Sequence, residues 1–334
     1  MKITIKEIAE LAGVSKATVS RVLNNSKPVS DDVRQRVLEV IENTNFKPNA
    51  VARSLSLSKT HLIGMILPDL ANPVFSRIIS GIESYLRAHD YSLLITATDF
   101  DVEMKIRHIN ILKEKGVDGL ILVTDHGDEA FQKELANFGK PVVMIGTESS
   151  VESIPVVQID NYKAASEATQ YLVDLGHKRI GMIRGPLSDP YAGKMRFDAY
   201  KSVLEPLGLF CPERVVEGWY SFDEGYSGMT ALIKRSPIPT AVFCSSDLMA
   251  IGAMKCALDQ GYQVPDEIAF IGFDDVQIAK MYNPALTTVR QPFEEKGRIA
   301  IHRLIDMIEH KQKTPQDRFI TLSHRLIIRQ STEK

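Results

Sequence analysis

The sequence predicts a small all-α unit followed by an α/β body of two doubly wound parallel-sheet lobes. Residues 4–23 have the spacing of two short helices joined at a glycine. From residue 62 onward, short β-branched runs alternate with helical patterns. The sign of the net charge also changes between the first 60 residues and the rest of the chain. Residues 1–60 hold ten Lys and Arg against six Asp and Glu, a net +4, which leaves thirty against thirty-six, a net −6, for the rest.

The first predicted element is a helix-turn-helix within residues 4–23. Thr4 and Glu7 have the spacing of a capping box, so the first helix is expected to begin there. Gly13 permits a sharp turn because glycine takes positive φ without steric cost, and Ser15 can cap the second helix. The residues expected to pack in the first helix are Ile5, Ile8, Ala9, Leu11 and Ala12, and in the second Thr18, Val19, Val22 and Leu23.

Two further helices are predicted before the body. A third helix runs from Ser30 to about Asn43, and a short one over residues 49–55 follows Pro48. Residues 54–59 are polar and rich in Ser, so this linker is expected to be poorly ordered when unsupported. An ordinary helical bundle is the alternative interpretation of residues 4–23. The third helix and the excess of basic residues favour a unit whose second helix enters the DNA major groove.

The body is predicted as alternating strands and helices. The predicted strands are Leu62–Leu67, Ser92–Ala97, Gly119–Val123, Pro141–Ile145, Val156–Ile159, Arg179–Arg184, Ala241–Cys244 and Ile268–Phe273. The predicted helices span 73–88, 102–115, 128–138, 161–175, 193–205, 223–235, 247–260 and 292–310. So many units exceed one comfortable sheet, which predicts two lobes. We expect the chain to cross between them near Asp160, near Arg290 and near Leu322. A ligand would bind between the carboxyl ends of the strands.

Composition narrows the class of protein. Cys211, Cys244 and Cys256 lack metal-site spacing and are expected to be reduced packing residues in a cytoplasmic protein. No apolar leader and no uninterrupted apolar stretch of membrane-spanning length is apparent, so no membrane association is expected. The sequence contains no GxxxxGK, HExxH or GxSxG motif, and His177 and His302 have no evident metal partners. We therefore expect neither an enzyme nor a protein with a cofactor.

The chain resembles the lactose/galactose repressor family of bacterial transcription regulators over nearly its whole length. The motifs that carry the resemblance are AGVSxxTVSRVLN within residues 4–24, the segment 48–55, LGHKRIGMIRGPLSDP (175–190), PTAVFCSSDLMAIGAM (239–254), VPDEIAFIGFDD (264–275) and PALTTVRQP (284–292). Within the family, the chain is most similar to ribose and related carbohydrate repressors.

The resemblance implies a homodimer with a core similar to type I periplasmic binding proteins. The heads would bind the two half-sites of a palindromic operator, with paired hinge helices in the central minor groove. A small effector in the cleft would change the angle between the lobes and hence operator affinity. The absence of a leucine heptad beyond residue 331 favours a dimer over a tetramer.

The resemblance also implies which residues contact DNA. Lys16, Ala17 and Arg21 would read bases in the major groove, with phosphate contact as the alternative for Lys16 and Arg21. Leu55 would wedge into the minor groove. The remaining expected contacts, by capping, phosphate binding or hinge packing, are Thr4, Ser15, Thr18, Ser20, Asn24, Asn49, Ala52 and Arg53.

The effector site is likewise implied by the resemblance. Arg196, at a helix start, would hold ligand oxygens, and Asp274, following a strand, would accept sugar hydroxyls. Tyr220 would stack on a ring, with Trp219 beside it. The other expected effector residues are Asn72, Phe75, Asp189, Tyr191, Ser246 and Gln291. Asp247 is expected either to contact the ligand or to cap the helix that follows it.

Two positions depart from the family pattern. Ser246 stands where relatives often have Asn, and Gly146 stands where many sugar-responding relatives have Asp, unless Glu148 substitutes for it. Both departures remove a polar group that a sugar could use. They leave open a co-regulator that answers to a partner protein, or to a purine or sugar-phosphate corepressor.

The predicted organisation is a DNA-binding head over residues 1–46, a hinge over 47–61 and a core over 62–334. The N-lobe would comprise about 62–160 and 291–321, and the C-lobe about 161–290 and 322–334. The predicted function is repression of a carbohydrate-utilisation operon, switched by a sugar-like effector between the lobes.

Overall fold

The computed structural model describes residues 3–24, 28–46, 59–99, 101–123, 128–310 and 317–333. The chain divides into two compact units, Met1–Thr60 and His61–Lys334. The first is a helical head and the second an α/β body, as the sequence predicts.

The head contains three helices, α1 (Ile5–Leu11), α2 (Lys16–Asn24) and α3 (Asp31–Thr44). The predicted capping box is present: the Thr4 hydroxyl accepts from the Glu7 N–H, and the Glu7 carboxylate accepts from the Thr4 N–H at 2.7 Å. Gly13 takes φ +63° at the turn. Ser15 Oγ accepts from the Thr18 N–H at 3.1 Å and so caps α2.

One apolar position of the head is not where the sequence pattern places it. Ile8, Ala12, Val19 and Val37 form the buried core, but Leu11 is 61% exposed. At about 100° per residue, Leu11 falls outside the arc that Ile8 and Ala12 share. The expectation that Leu11 belongs to the packed stripe is therefore wrong.

The body contains twelve strands and nine α-helices among its described residues. The strands are β1 (Leu62–Leu67), β2 (Ser92–Ala97), β3 (Gly119–Leu122), β4 (Val142–Ile145), β5 (Val156–Ile159), β6 (Ile180–Arg184), β7 (Val215–Glu217), β8 (Ala241–Cys244), β9 (Ala269–Asp274), β10 (Thr287–Arg290), β11 (Phe319–Leu322) and β12 (Arg325–Ile327). The helices are α4 (Pro73–Leu86), α5 (Val102–Glu114), α6 (Glu129–Ala136), α7 (Asn161–Asp174), α8 (Arg196–Leu204), α9 (Phe222–Ile233), α10 (Asp247–Asp259), α11 (Gln277–Met281) and α12 (Phe293–His310). A π-helical turn (Pro190–Met195) leads into α8, and a 3₁₀ turn (Pro212–Arg214) leads into β7.

The strands form two six-stranded sheets, one in each lobe. The N-lobe order is β11-β5-β4-β3-β1-β2, with every pairing parallel. The C-lobe order is β12-β10-β9-β8-β6-β7, in which only the β10–β12 pair is antiparallel. The chain passes between the lobes after β5, after β10 and between β11 and β12.

Helices cover both faces of each sheet. In β1, Ile63 and Met65 pack in one apolar cluster and Ile66 packs in another on the opposite face. In β8, Phe243 and Val242 divide in the same way. Side chains alternate between the two faces of a strand, so both faces of both sheets are buried. The predicted doubly wound fold is confirmed.

Two helices of the N-lobe approach each other closely enough to require glycine. A Cβ on Gly81 of α4 would lie 2.0 Å from the Glu294 carbonyl oxygen of α12, and one on Gly297 would lie 2.2 Å from the Ile78 carbonyl oxygen. This contact fixes the beginning of α12 against α4. It therefore positions the residues that both helices present to the cleft.

Candidate functional site

Helix α2 presents a polar face on the head. Lys16, Ala17 and Arg21 are exposed, while Val19 and Val22 on the opposite side are buried. The alternation follows from the helical period, since residues three and four apart share a face. The first turn of α2 is thus exposed. In a helix-turn-helix, this turn of the second helix contacts base edges in the major groove.

The hydroxyl residues expected at DNA also have local roles. Thr4 is the N-cap of α1, and Ser15 Oγ lies 2.9 Å from Thr18 Oγ1 as well as capping α2. Ser20 is half-buried on α2. The side chain of Asn24, and all of Asn49, Ala52, Arg53 and Leu55, lie outside the described residues.

The body contains a cleft between the carboxyl ends of the two sheets. Its cavity volume is about 170 Å³. The cleft brings together all the side chains that sequence analysis assigns to the effector: Asn72, Phe75, Asp189, Tyr191, Arg196, Tyr220, Ser246, Asp274 and Gln291. It is also lined by Asn161, Thr147, Gly146, Phe293 and Lys296, among others. Both lobes therefore contribute to one site.

Arg196 is buried at the start of α8. Its Nε and Nη2 donate to Asn161 Oδ1 at 3.1 and 2.9 Å, and its Nη1 donates to the Ser245 carbonyl at 2.6 Å. The guanidinium carbon lies 3.6 Å from the centroid of the Phe273 ring. These contacts fix a fully charged, planar donor in the cleft wall without neutralising it.

Asp274, Gln291 and Lys296 form a hydrogen-bonded chain across the lobes. The Gln291 amide donates to Asp274 Oδ1 at 2.7 Å, and Lys296 Nζ donates to Gln291 Oε1 at 2.6 Å. Burial raises the pKa of Asp274 to about 6, although Arg196, Gln291 and Lys296 oppose the shift. Burial and the charge of Arg196 lower the pKa of Lys296 to about 7, against the attraction of Asp274.

The sequence indicated that Asp274 follows the strand. In the structure it is the last residue of β9. Its φ is +118°, in the region that side chains rarely adopt. Backbone strain of this kind concentrates at functional sites. Asp274 is thus both strained and buried at the edge where ligands of parallel sheets bind.

Tyr220 and Asp189 form a second polar contact in the cleft. The Tyr220 hydroxyl donates to Asp189 Oδ2 at 2.7 Å, while Asp189 Oδ1 accepts from the N–H groups of Tyr191 and Ala192. Gly185 is required here, because a Cβ would lie 2.1 Å from the Tyr220 hydroxyl. Burial raises the pKa of Tyr191 to about 12, with a smaller contribution from Glu148. Glu148 thus lies beside Tyr191, outside the cavity lining.

Of the two alternatives proposed for Asp247, the cap is wrong, and its side chain is not among those that line the cavity. Ser246, not Asp247, is the N-cap of α10, where its hydroxyl accepts from the Met249 N–H at 3.3 Å. Asp247 is buried behind the cleft and accepts from Thr288 Oγ1 at 2.5 Å and the Val276 N–H at 2.7 Å. Burial, reinforced by Asp274, raises its pKa well above the ordinary value. It therefore supports the strand ends rather than a ligand.

Sequence analysis missed Lys296, Asn161 and Thr147. Lys296 follows two Glu residues in a helical pattern, which resembles a solvated face. The signal that could identify it is the glycine beside it, since Gly297 marks the side of α12 that packs on α4. Trp219, considered with Tyr220, is 49% exposed and does not line the cavity.

Comparison with known proteins identifies the family. Residues 60–330 match the family described as periplasmic binding proteins and sugar binding domain of LacI family, and residues 4–49 match the bacterial regulatory proteins of the lacI family. The chain belongs to the LacI family. It is therefore a DNA-binding transcriptional repressor, and not an enzyme.

Individual LacI-family proteins match nearly the whole chain. Catabolite control protein A of Priestia megaterium is 36% identical over 100% of both chains. The ribose operon repressor of Haemophilus influenzae is 35% identical over 96% of this chain and 95% of its own.

Solved structures of the family match equally broadly. A lac repressor dimer bound to operator and the anti-inducer ONPF has a TM-score of 0.88 at 27% identity, covering 99% of each chain. A complex of the transcriptional regulator CelR with cellobiose has a TM-score of 0.74 at 30% identity, covering 98% of this chain and 99% of that one.

The described part of the chain offers neither a membrane-spanning helix nor a metal-binding group of side chains. None of its helices has the length and apolar character needed to cross a membrane. Within the same ranges, His, Cys, Asp and Glu side chains do not gather into a group of three that could hold a metal ion.

Proposed function

We propose that this protein represses a carbohydrate-utilisation operon and is switched by a small polyhydroxylated effector in the interlobe cleft. The observation that carries the proposal is the fixed set of Arg196, Asp274 and Gln291 in a cavity between two lobes. A ligand bound there contacts both lobes at once. Its affinity therefore depends on the angle between them, which is the requirement for a switch.

The chemistry of the cleft suits a ring with several hydroxyl groups. Asp274 has one oxygen bonded to Gln291 and a second that can accept from a hydroxyl. Phe75 and Tyr220 offer aromatic faces to the apolar side of a ring. An engineered cavity of about 150 Å³ in another protein holds benzene, so a cavity of about 170 Å³ suits one ring with its substituents. The relatives named for ribose and cellobiose support a carbohydrate.

The head supplies the DNA contact in this proposal. Lys16, Ala17 and Arg21 form an exposed face on α2, in a segment whose residues 1–60 carry a net charge of +4. We assign the base-reading role to Lys16, Ala17 and Arg21. We assign the phosphate contacts to nearby hydroxyl residues, namely Thr4, Ser15, Thr18 and Ser20. The partner is a palindromic operator, because a two-fold dimer presents two identical heads.

A dimer surface is available on the C-lobe. Apolar side chains are exposed on three adjoining helices: Phe222 of α9, Leu258 of α10, and Ile278 and Met281 of α11, the last being 70% exposed. Helices α9 and α10 are joined by the bond from Tyr226 to Asp259, and Ala279 of α11 packs in the same apolar cluster as α10. Grouped exposed apolar residues mark interaction sites, so we assign the homodimer contact to this face.

The test is binding of the purified protein to labelled DNA from its own upstream region, across a panel of neutral and anionic sugars and purines. We expect specific binding that one sugar-like compound weakens or strengthens, and that Arg196→Lys uncouples from the compound without loss of DNA binding. Leu207→Asp, on an exposed turn away from both sites, serves as a control. Absence of specific DNA binding would refute the proposal. Specific binding that no compound shifts would point to a protein co-regulator.

A further inference from the structure

We propose that the effector carries one anionic group, a carboxylate or a phosphate, on its polyhydroxylated ring, and that Lys296 binds this group. The inference rests on the proposed function, since it concerns the ligand of the same cleft. It follows from the partners of the two cations that line the cleft, because among the described residues neither is hydrogen-bonded to a carboxylate.

Lys296 is buried without a counter-ion in contact. It lines the cavity, is 3% exposed, and donates a hydrogen bond to the neutral oxygen of Gln291. Its Nζ lies 5.3 Å from the centroid of the Phe293 ring. Within the described ranges it forms no ion pair with a carboxylate. An ammonium has three donors, so two remain for a ligand, and a buried ammonium is costly unless an anion compensates it.

Arg196 adds a second buried cation to the same cavity. All of its hydrogen bonds are to neutral oxygens, those of Asn161 and Ser245, and its flat face lies on Phe273. The two cations are close enough for the charge of Arg196 to disfavour the charged form of Lys296. In the part of the chain that the structure describes, neither cation is paired with an acidic side chain.

The two carboxylates that line the cleft, Asp189 and Asp274, are hydrogen-bonded to groups other than Lys296. Asp189 uses one oxygen for two backbone N–H groups and the other for the Tyr220 hydroxyl. Asp274 reaches Lys296 only through Gln291. It is suited to a ligand hydroxyl rather than to neutralising Lys296 by contact.

The wall formed by the end of β4 points to the same ligand chemistry. Gly146 lines the cavity here and contributes no carboxylate to this wall. The next residue, Thr147, is 2% exposed and lines the cavity, and its Oγ1 has no hydrogen-bond partner. An orphaned buried hydroxyl requires an explanation. A ligand anion in the cavity that Thr147 and Lys296 both line, and that accepts from this hydroxyl, supplies one.

Proton linkage gives a readout that a neutral ligand would lack. The pKa of Lys296 is lowered to about 7 by burial and by Arg196, and Asp274 opposes the shift. A bound anion favours the charged lysine and raises that pKa again. Binding of an anionic effector therefore takes up protons, and its affinity falls as the pH rises above about 7.

The experiment is calorimetric titration of the full-length protein with matched ligands. The sets are glucose, glucuronate and glucose 6-phosphate; galactose and galacturonate; and ribose and ribose 5-phosphate. We expect at least one anion to bind about 10-fold or more tightly than its neutral counterpart at pH 7, through charge-assisted hydrogen bonds, with net proton uptake. The acid and phosphate arms distinguish the two sources of charge. If no anion exceeds its neutral counterpart, the inference is overturned.

Substitutions separate charge recognition from support of the fold. Lys296→Gln can still donate to Gln291 but has no charge, so the ratio of anionic to neutral affinity should fall to about 1. Lys105→Gln removes a lysine that is buried outside the cavity, and the preference should survive. Equal weakening of anionic and neutral ligands by Lys296→Gln would overturn the inference.

Operator binding, measured in parallel, distinguishes this failure from failure of the proposed function. A neutral sugar that shifts operator binding would leave the proposed function intact and overturn only the anionic effector. Absence of specific operator binding by the wild-type protein would overturn both.

Discussion

At the scale of single residues, Asp274 has two energetically unfavourable features. Its backbone lies at φ +118°, and its carboxyl group is buried with a pKa raised to about 6. Both features destabilise the folded state, and neither is explained by packing alone. Strain and a raised pKa together are typical of a position maintained for binding.

The raised pKa predicts how Asp274→Asn changes stability with pH. The folded state binds the extra proton between the ordinary pKa of 3.8 and about 6, so the contribution of Asp274 becomes less favourable as the pH rises through that range. Removing the charge should therefore add up to about 3 kcal/mol to the free energy of unfolding at pH 7 relative to pH 4. Urea unfolding of the variant and the wild type at both pH values measures it. A variant destabilised equally at both would contradict the assignment.

Sequence alone identified the cleft residues whose motifs are distinctive. Arg196 follows the GPLSDP segment and Asp274 ends a clear β-branched run, so both could be assigned before the structure. Lys296 could not be, because its burial depends on how α12 packs on α4. Asp247 was misjudged because its carboxylate reaches Thr288, on a strand that its own sequence neighbourhood does not reveal.

At the scale of elements, strand prediction succeeded where the local sequence has a continuous apolar run, even for the partly exposed edge strand β2. The bounds of β1, β2, β5 and β8 are those expected from their apolar runs. Four strands were not predicted: β7, β10, β11 and β12. All are three or four residues long and lie at or next to sheet edges, and β7, β11 and β12 are partly exposed. Short edge strands lack a continuous apolar run, so the local sequence carries little signal for them.

The α4–α12 contact predicts a large effect from a single methyl group. Gly81→Ala would place Cβ 2.0 Å from the Glu294 carbonyl oxygen, so the two helices must separate. We expect a loss of about 1–3 kcal/mol in the free energy of unfolding, measured by urea denaturation. Ser80→Ala, one residue earlier and exposed, is the control and should be near neutral. Equal stabilities of Gly81→Ala and wild type would show that the helices can part without cost.

Helix α2 predicts a separation of specific from non-specific DNA binding. If Lys16 reads a base, Lys16→Ala should lose about 1–3 kcal/mol for the operator and relax specificity at one base pair. If it contacts phosphate, affinity should fall equally for all sequences, and the salt dependence should decrease by about one counterion. Fluorescence anisotropy against operator and scrambled DNA at several salt concentrations distinguishes these outcomes. Lys6→Ala, on α1 and paired with Glu10, is the control.

At the scale of the whole molecule, the lobes are assembled from separated segments of chain. The N-lobe sheet includes β11 and rests on α12, although β6 to β10 of the C-lobe lie between them and β5 in sequence. The sequence indicated these crossings because the strand-helix rhythm breaks near residues 160, 290 and 322. It could not indicate the strand order, which depends on contacts between distant segments.

The exposed apolar face of the C-lobe predicts the assembly state. Met281→Asp would place a charge in the centre of the proposed dimer contact, where burial without a partner is unfavourable. We expect the variant to sediment as a monomer and to lose operator affinity, with an unchanged circular dichroism spectrum. Leu207→Asp, which is also on an exposed apolar residue but on the turn after α8, should remain dimeric. A dimeric Met281→Asp protein would place the contact elsewhere.

The interleaved chain has a consequence for synthesis in the cell. The head is complete once residue 60 has left the ribosome, whereas the N-lobe core lacks Phe293, Ile301 and Leu304 until the chain is almost finished. The C-lobe likewise lacks β12 until residue 327. Since translation adds about 5–20 residues per second, a folded DNA-binding head precedes a ligand-competent body by about 14–54 s. Nascent chains thus pass through a period in which the head is folded but neither the effector cleft nor the proposed dimer face has formed.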